Sequence, residues 1–236
     1  MHFQEVLVPQ VQYMTDRFHE WRKADGVLFK RMWIDGLLEY DKKTGIDWEW
    51  QAMDGWMVLL RRHHLGEKST GPNPTDRAKS GTKRSLLVDG KGVPLGIIAD
   101  AANRHDMKMT KSTLQNVVID KPEPTIKSKQ HMCMDKGYDY PEVYELLEEY
   151  GYTIHIRSKG EENKINSKEI PRYRAKRWIV ERTHSWMNRF RRLLIRWEKK
   201  VENYLAMLHF ACAWITYRGA KLFGYPCELL LNVCDF

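Results

Sequence analysis

The chain has 236 residues, a formal net charge of +8, 42% hydrophobic and 30% charged residues. That balance suits a globular protein with a sizeable core and excludes a disordered or collagen-like chain. No uninterrupted apolar run approaches 18 residues, and the N-terminus lacks a basic n-region and a cleavage-site pattern. Neither a membrane helix nor a secretion signal is therefore expected, and the chain reads as cytoplasmic.

Taken in order, residues 15–40 carry apolar positions at three- and four-residue spacing and predict helix. Residues 49–60, EWQAMDGWMVLL, predict a strand centred near Met53. Residues 61–84 are a polar stretch with Gly, Pro, Ser and Asn throughout, read as a loop. Two apolar runs in residues 85–100 are divided by Asp89-Gly90-Lys91-Gly92, a hairpin signal. Residues 106–120 fit a helix, and residues 131–135, HMCMD, a short buried strand. Residues 140–151 fit a helix with proline in its first turn and glycine after its end. Residues 153–158 predict a further strand, residues 173–197 one long helix, and residues 201–221 another.

This order gives an α/β fold with a ribonuclease-H-like mixed sheet: three antiparallel strands, then parallel additions with crossover helices. The expected division is a helical N-terminal segment (1–45), a catalytic domain (46–200), and a C-terminal helix and tail (201–236). The four cysteines, Cys133, Cys212, Cys227 and Cys234, form no CxxC pair and read as thiols of a reducing compartment.

Three acids stand at informative places on that outline. Asp54 lies in the first strand, Asp135 at the end of the strand after the first crossover, and Glu181 on the helix after the last strand. The topology would bring them to one sheet edge, where open α/β folds build sites. Clustered carboxylates repel unless a cation neutralises them, and oxygen-only ligands suit Mg²⁺ or Mn²⁺. Two such ions serve phosphodiester chemistry. Each acid also has an ordinary reading: Asp54 and Asp135 as turn formers near glycine, Glu181 as a surface charge. Asp89 and Asp100 compete with Asp54 as first carboxylate, with Asp89 ranked lower because it sits in a tight turn. His105-Asp106 reads as a helix start, and His63-His64 is a weak zinc motif because neighbouring strand residues face opposite ways.

Charge is concentrated. From Arg172 to Lys200 there are eleven Lys/Arg against Glu181 and Glu198. In the long helix, Ile179, Thr183, Trp186, Phe190, Leu193 and Trp197 mark the core seam. Trp178, Glu181, His184, Ser185, Asn188 and Arg192 mark another face. The arginines there either balance Glu181 or hold DNA phosphates. The cations and polar groups assigned to a DNA-binding set are Lys83, Arg84, Lys136, Arg177, Arg182, His184, Asn188, Arg189 and Arg192.

The blocks GPNPTDRAKSGTKRSLLVDGKGVPLG, ANRHDM, HMCMDKGYDYPEV and AKRWIVERTHSWMNRFRRLLIRWEKKVENYLAMLHFACAWI resemble those of DDE transposases of bacterial insertion sequences, in the insertion-sequence-five group. The resemblance runs from about residue 15 to about residue 220. It implies two-metal cleavage at transposon ends with Mg²⁺ or Mn²⁺, followed by strand transfer to target DNA. It further implies binding to terminal repeats, action as a homodimer in the DNA complex, and a bacterial, nucleoid-associated location. It matches Asp54, Asp135 and Glu181 to the catalytic carboxylates, and places Arg182, His184, Asn188 and Arg189 in the same signature, where they contact DNA or support the metal site. Such proteins usually carry more helical DNA-binding chain at the N-terminus, so a shortened copy with impaired end recognition is expected. GWMVLLRRHHLGE after Asp54 is also more apolar and basic than the family pattern. The alternatives are a DNA-binding remnant without activity, and a nuclease of the same fold without strand transfer.

Overall fold

The computed structural model describes residues 20, 27–61, 68–156 and 176–222. His63, His64, Cys227, Cys234 and the start of the first expected helix lie outside them.

Helix α1 (Leu28–Thr44) buries Phe29, Trp33, Leu37 and Tyr40 along one stripe. Strand β1 (Trp50–Leu60) follows, then the short β2 (Gly71–Pro72), β3 (Ser80–Asp89) and β4 (Pro94–Ala101). Helix α2 (Asp106–Gln115) crosses to β5 (Gln130–Met134), and α3 (Pro141–Glu149) crosses to β6 (Tyr152–Ile156). Helix α4 (Trp178–Asn188), the single turn α5 (Arg191–Leu194), β7 (Ile195–Arg196) and α6 (Val201–Gly219) complete the order.

The sheet runs β4-β3-β1-β5-β6. β3 is antiparallel to β1 and to β4, whereas β5 is parallel to β1 and to β6. This is the expected ribonuclease-H-like mixed sheet with flanking helices. Its antiparallel part turns at Asp89, whose carboxylate accepts from the Lys91 and Val93 N–H groups (2.9 and 2.8 Å) and from the Tyr40 hydroxyl (3.3 Å). Gly92 adopts φ 89°, a left-handed conformation that suits glycine. Asp89 is thus occupied as a turn cap.

The core holds residues from both faces of the sheet, including Met53, Leu86, Leu87, Met132, Met134, Ile179 and Met187. Burying each such large side chain stabilises the fold by roughly 1.5–3 kcal/mol. Helices α1 and α6 pack on each other, with Trp33 stacked on His209 (5.8 Å) and Phe29 edge-on to Phe210 (5.6 Å). The indole of Trp33 donates to the Pro94 carbonyl (3.0 Å), tying the pair to the sheet edge.

Two boundaries depart from expectation. Residues 80–84 belong to β3, where 81–84 pair with β1 and Ser80 with Pro72 of β2 rather than form loop. The helix expected over 173–197 ends at Asn188 within the described residues. The chain re-forms as α5 after Phe190, and Ile195 and Arg196 then pair with Leu59 and Leu60 of β1. Tertiary pairing with β1 overrides the helical spacing that continues through this stretch. Trp197, expected in the seam, is 46% exposed and lies beneath the Arg61 guanidinium (3.4 Å).

Candidate active site

Asp54 and Asp135 are brought together by strand register. β1 and β5 pair in parallel up to Ala52 and Cys133, and two residues further along each strand stand Asp54 and Asp135. β5 stops there because Asp135 begins a single 3₁₀ turn, Lys136–Tyr138. Its Oδ1 accepts from the Gly137 N–H at 2.7 Å. A Cβ at Gly137 would stand 2.8 Å from that oxygen and would push the carboxylate aside. The turn-forming role and a site role coexist in this residue, because one carboxylate oxygen caps the turn while Lys136 turns outward, exposed.

Asp54 is held similarly. The Gly55 N–H donates to its Oδ1 at 2.8 Å. Burial outweighs that bond and pushes the Asp54 carboxyl up to about 7, with Asp135, Asp106 and Glu181 adding their repulsion. All three expected acids therefore share one electrostatic environment. Glu181 lies on α4, which packs across β1 and β3. Its side chain is half exposed and pairs with Arg177 one turn earlier (3.2 Å). Asp100, the remaining rival, bonds the Ala101 N–H (2.7 Å) and lies near Arg104.

The signature around Glu181 does something the sequence did not disclose. Arg84 and His184 are fully buried. The Arg84 Nε donates to His184 Nδ1 (3.2 Å), and its Nη2 donates to the His184 carbonyl (3.3 Å) and to Asn188 Oδ1 (2.7 Å). Burial and then this guanidinium drive the imidazole well below its ordinary pKa range, so His184 is neutral. Because Nδ1 accepts, the hydrogen is assigned to Nε2, which is buried and meets no acceptor in hydrogen-bond geometry. Trp56 packs on the same ring (5.5 Å). Arg84, His184 and Asn188 thus clamp α4 to β3 beside Asp54.

Other members of the expected DNA-binding set are also distributed by burial. Lys83 is buried and donates to Asp106 Oδ2 (3.1 Å) and the Arg104 carbonyl (2.8 Å). Arg182 sits between Trp178 and Trp186 (4.7 and 4.8 Å) and donates to the Lys91 carbonyl (2.7 Å), docking α4 on the hairpin tip. In this structure Lys83, Arg84 and His184 are not presented to a nucleic acid, since internal bonds hold them inside the protein. Lys136, Arg189 and Arg192 are exposed, with Arg192 paired to Glu198 (2.6 Å), and Arg177 is half-buried.

Asp106 was read as a helix start, yet it belongs to this neighbourhood. One signal was available in the sequence: glycine immediately after Asp54, the position into which Asp106 packs from the opposite face of β1.

The chain thus combines a ribonuclease-H-like mixed sheet with Asp54 inside β1 and Asp135 just past the end of β5. It belongs to the transposase DDE domain family, whose model matches residues 51–216. It is 34% identical over 172 residues to a Burkholderia cepacia protein assigned as transposase for insertion sequence element IS402, an alignment covering 69% of this chain and 76% of that one. Among solved structures, it aligns with the Mos1 mariner paired end complex with Mn at TM-score 0.34 and 10% identity, over 83% of this chain and 63% of that one. The catalytic domain of Mos1 mariner transposase aligns with the same TM-score and identity, over 83% and 95%. This chain therefore spans less than two thirds of the paired-end protein. No helix of the described residues is long and apolar enough to cross a membrane.

Proposed function

We propose that this transposase cuts DNA at insertion-sequence ends and joins the freed 3′-hydroxyl to target DNA, with Asp54, Asp135 and Glu181 as its catalytic carboxylates. The observation that carries this reading is the shared environment of those acids, in which burial and mutual repulsion push Asp54 up to about 7. A divalent cation would relieve both effects.

The donor set fits such an ion chemically. Carboxylate oxygens alone suit Mg²⁺ or Mn²⁺. Among the described residues no three donors already stand at coordinating separation. Asp54 and Asp135 would hold the ion, and Glu181 would join them on releasing Arg177. The bound metal supplies an activated attacking oxygen and a stabilised leaving oxygen.

The remaining work falls to the chain itself. The Gly55 and Gly137 N–H groups orient the two aspartates. The Arg84–His184–Asn188 clamp holds α4, and with it Glu181, against the sheet. Exposed Lys136, Arg189 and Arg192, and Arg177 once freed, bind phosphates and give salt-sensitive affinity. In this reading the partners are the element's terminal repeats and its target, two copies act on the paired ends, and the protein works at the nucleoid. The catalytic domain would then comprise residues 46–200.

The test is incubation with a duplex carrying the element's own end, a target plasmid and Mg²⁺ or Mn²⁺. Joined product, lost in Asp135→Ala and Glu181→Ala, is expected. Cleavage without joining would replace the reading with a nuclease. DNA binding with neither product would replace it with a binding remnant.

A further inference from the structure

Asp106, in the ANRHDM block, is not among the carboxylates assigned to the site above. It stands at the start of α2, on the face of β1 opposite Asp54. A Cβ on Gly55 would overlap its Oδ1. That oxygen is buried and has no hydrogen-bond partner, while Oδ2 is held by the buried ammonium of Lys83 at 3.1 Å. Lys83 is itself fixed by the Arg104 carbonyl, so the carboxylate has a set orientation, with its open oxygen against the Gly55 peptide.

A second unpartnered group points to the same place. Tyr138 is fully buried and its hydroxyl meets no partner in hydrogen-bond geometry. Burial raises its phenol well above the ordinary range, and the charges contributing most are Asp106, then Asp54 and Asp135. Ser85, whose Oγ accepts from Thr113 (2.8 Å) and keeps its own hydrogen, offsets part of that rise. A buried carboxylate oxygen without a partner and a buried phenol thus stand close to the segment that carries Asp54. Unsatisfied buried polar groups cost stability and are kept where they serve a site.

We propose that Asp106, held by Lys83, is a positioning residue of the carboxylate site: it fixes the Asp54–Gly55 segment from behind and sets a fourth negative charge next to the cation-binding acids. The proposal rests on the metal-dependent reading above. It accounts for three features together: glycine at position 55, a lysine buried in β3, and the fully buried tyrosine of the DKGYD block. Gly55 is needed because Asp106 fills its side-chain space. The Gly55 N–H in turn orients Asp54 Oδ1, so displacing this peptide displaces the carboxylate.

The experiment is Mn²⁺ titration of the full chain by calorimetry, with melting temperature followed in parallel. Asp106→Asn is expected to weaken Mn²⁺ binding about 10–100-fold, the usual effect of losing an outer partner of a metal ligand. Gly55→Ala is expected to weaken it too, but to have no further effect in the Asp106→Ala background, because the overlap is gone. Should Asp106→Asn fail to fold, Lys83→Met/Asp106→Leu removes both buried charges, and the same loss of affinity is expected. Wild-type affinity in folded Asp106→Asn, or an equal Gly55→Ala effect in both backgrounds, would overturn the proposal. Absence of Mn²⁺ binding by the wild type would instead overturn the metal-dependent reading, and this inference with it.

Discussion

The two faces of β1 handle charge in opposite ways. Toward α4, Asp54 and Trp56 meet Leu86 and Arg84 of β3. There the buried cation, Arg84, is held by neutral acceptors, His184 and Asn188, and no cation pairs with Asp54 among the described contacts. Toward α2, Gly55 and Met57 pair with Ser85 and Lys83, and here the buried cation is matched by a carboxylate, Asp106. Strand alternation places these two arrangements back to back within four residues. On the α2 side the carboxylate gives one oxygen to the buried cation and keeps the other open against Gly55. On the α4 side burial first, and then the neighbouring carboxylates, raise Asp54, and a cation there would offset both.

The comparison can be broken or sharpened in several ways. The largest effect belongs to the open face. Asp54→Ala and Asp135→Ala are each expected to reduce metal-dependent cleavage by at least about 10³-fold in an end-cleavage assay, while the melting temperature stays near wild type. Next comes the clamp. His184→Ala removes the Nδ1 acceptor of the buried Arg84 guanidinium, leaving only the backbone carbonyl of that residue and Asn188, and should cost roughly 3 kcal/mol. Thermal denaturation should register this as a loss of about 6–12 °C.

Acidity gives a third, gentler test on the metal-free protein. Folded Asp54 binds its proton more tightly than the unfolded chain does, so its contribution is present at low pH and lost as pH rises towards about 7. Buried His209 behaves oppositely: lowered to about 4, its contribution is present above its unfolded value near 6.5 and lost as pH falls towards 4. Between pH 4 and 6.5 the two offset each other. Melting temperatures across that window should rise more steeply with pH in Asp54→Asn and less steeply in His209→Gln. The smallest effect is at the surface. Arg177→Ala breaks an exposed pair and should change stability by no more than about 0.5 kcal/mol in urea denaturation.

Much of this was legible in the sequence. The order of elements, the hairpin at Asp89-Gly90, the helix opened by Pro141 and the strand ending at Asp135 all follow from local patterning, and the fold is the one that order implies. What was hidden depends on partners distant in the chain. Arg84 looks like a surface cation until β3 pairs with β1 and faces α4, 100 residues later. Lys83 and Arg84 stand side by side in a stretch that reads as polar loop, and only sheet pairing sends them to opposite faces. The break after Asn188 has no glycine or proline to announce it, because it is caused by Ile195 and Arg196 pairing with β1. Asp106 carries the signal of a helix start, and its nearness to Asp54 is visible only through the missing side chain at Gly55.

The most direct measurement of the central claim is an anomalous difference map from crystals of the full chain grown with Mn²⁺. Density between the Asp54 and Asp135 carboxylates, with Glu181 turned from Arg177 towards it and the peak lost in Asp135→Ala, is the expected result. Wild-type crystals with Mn²⁺ absent from that edge, or bound elsewhere with Glu181 still on Arg177, would contradict the account.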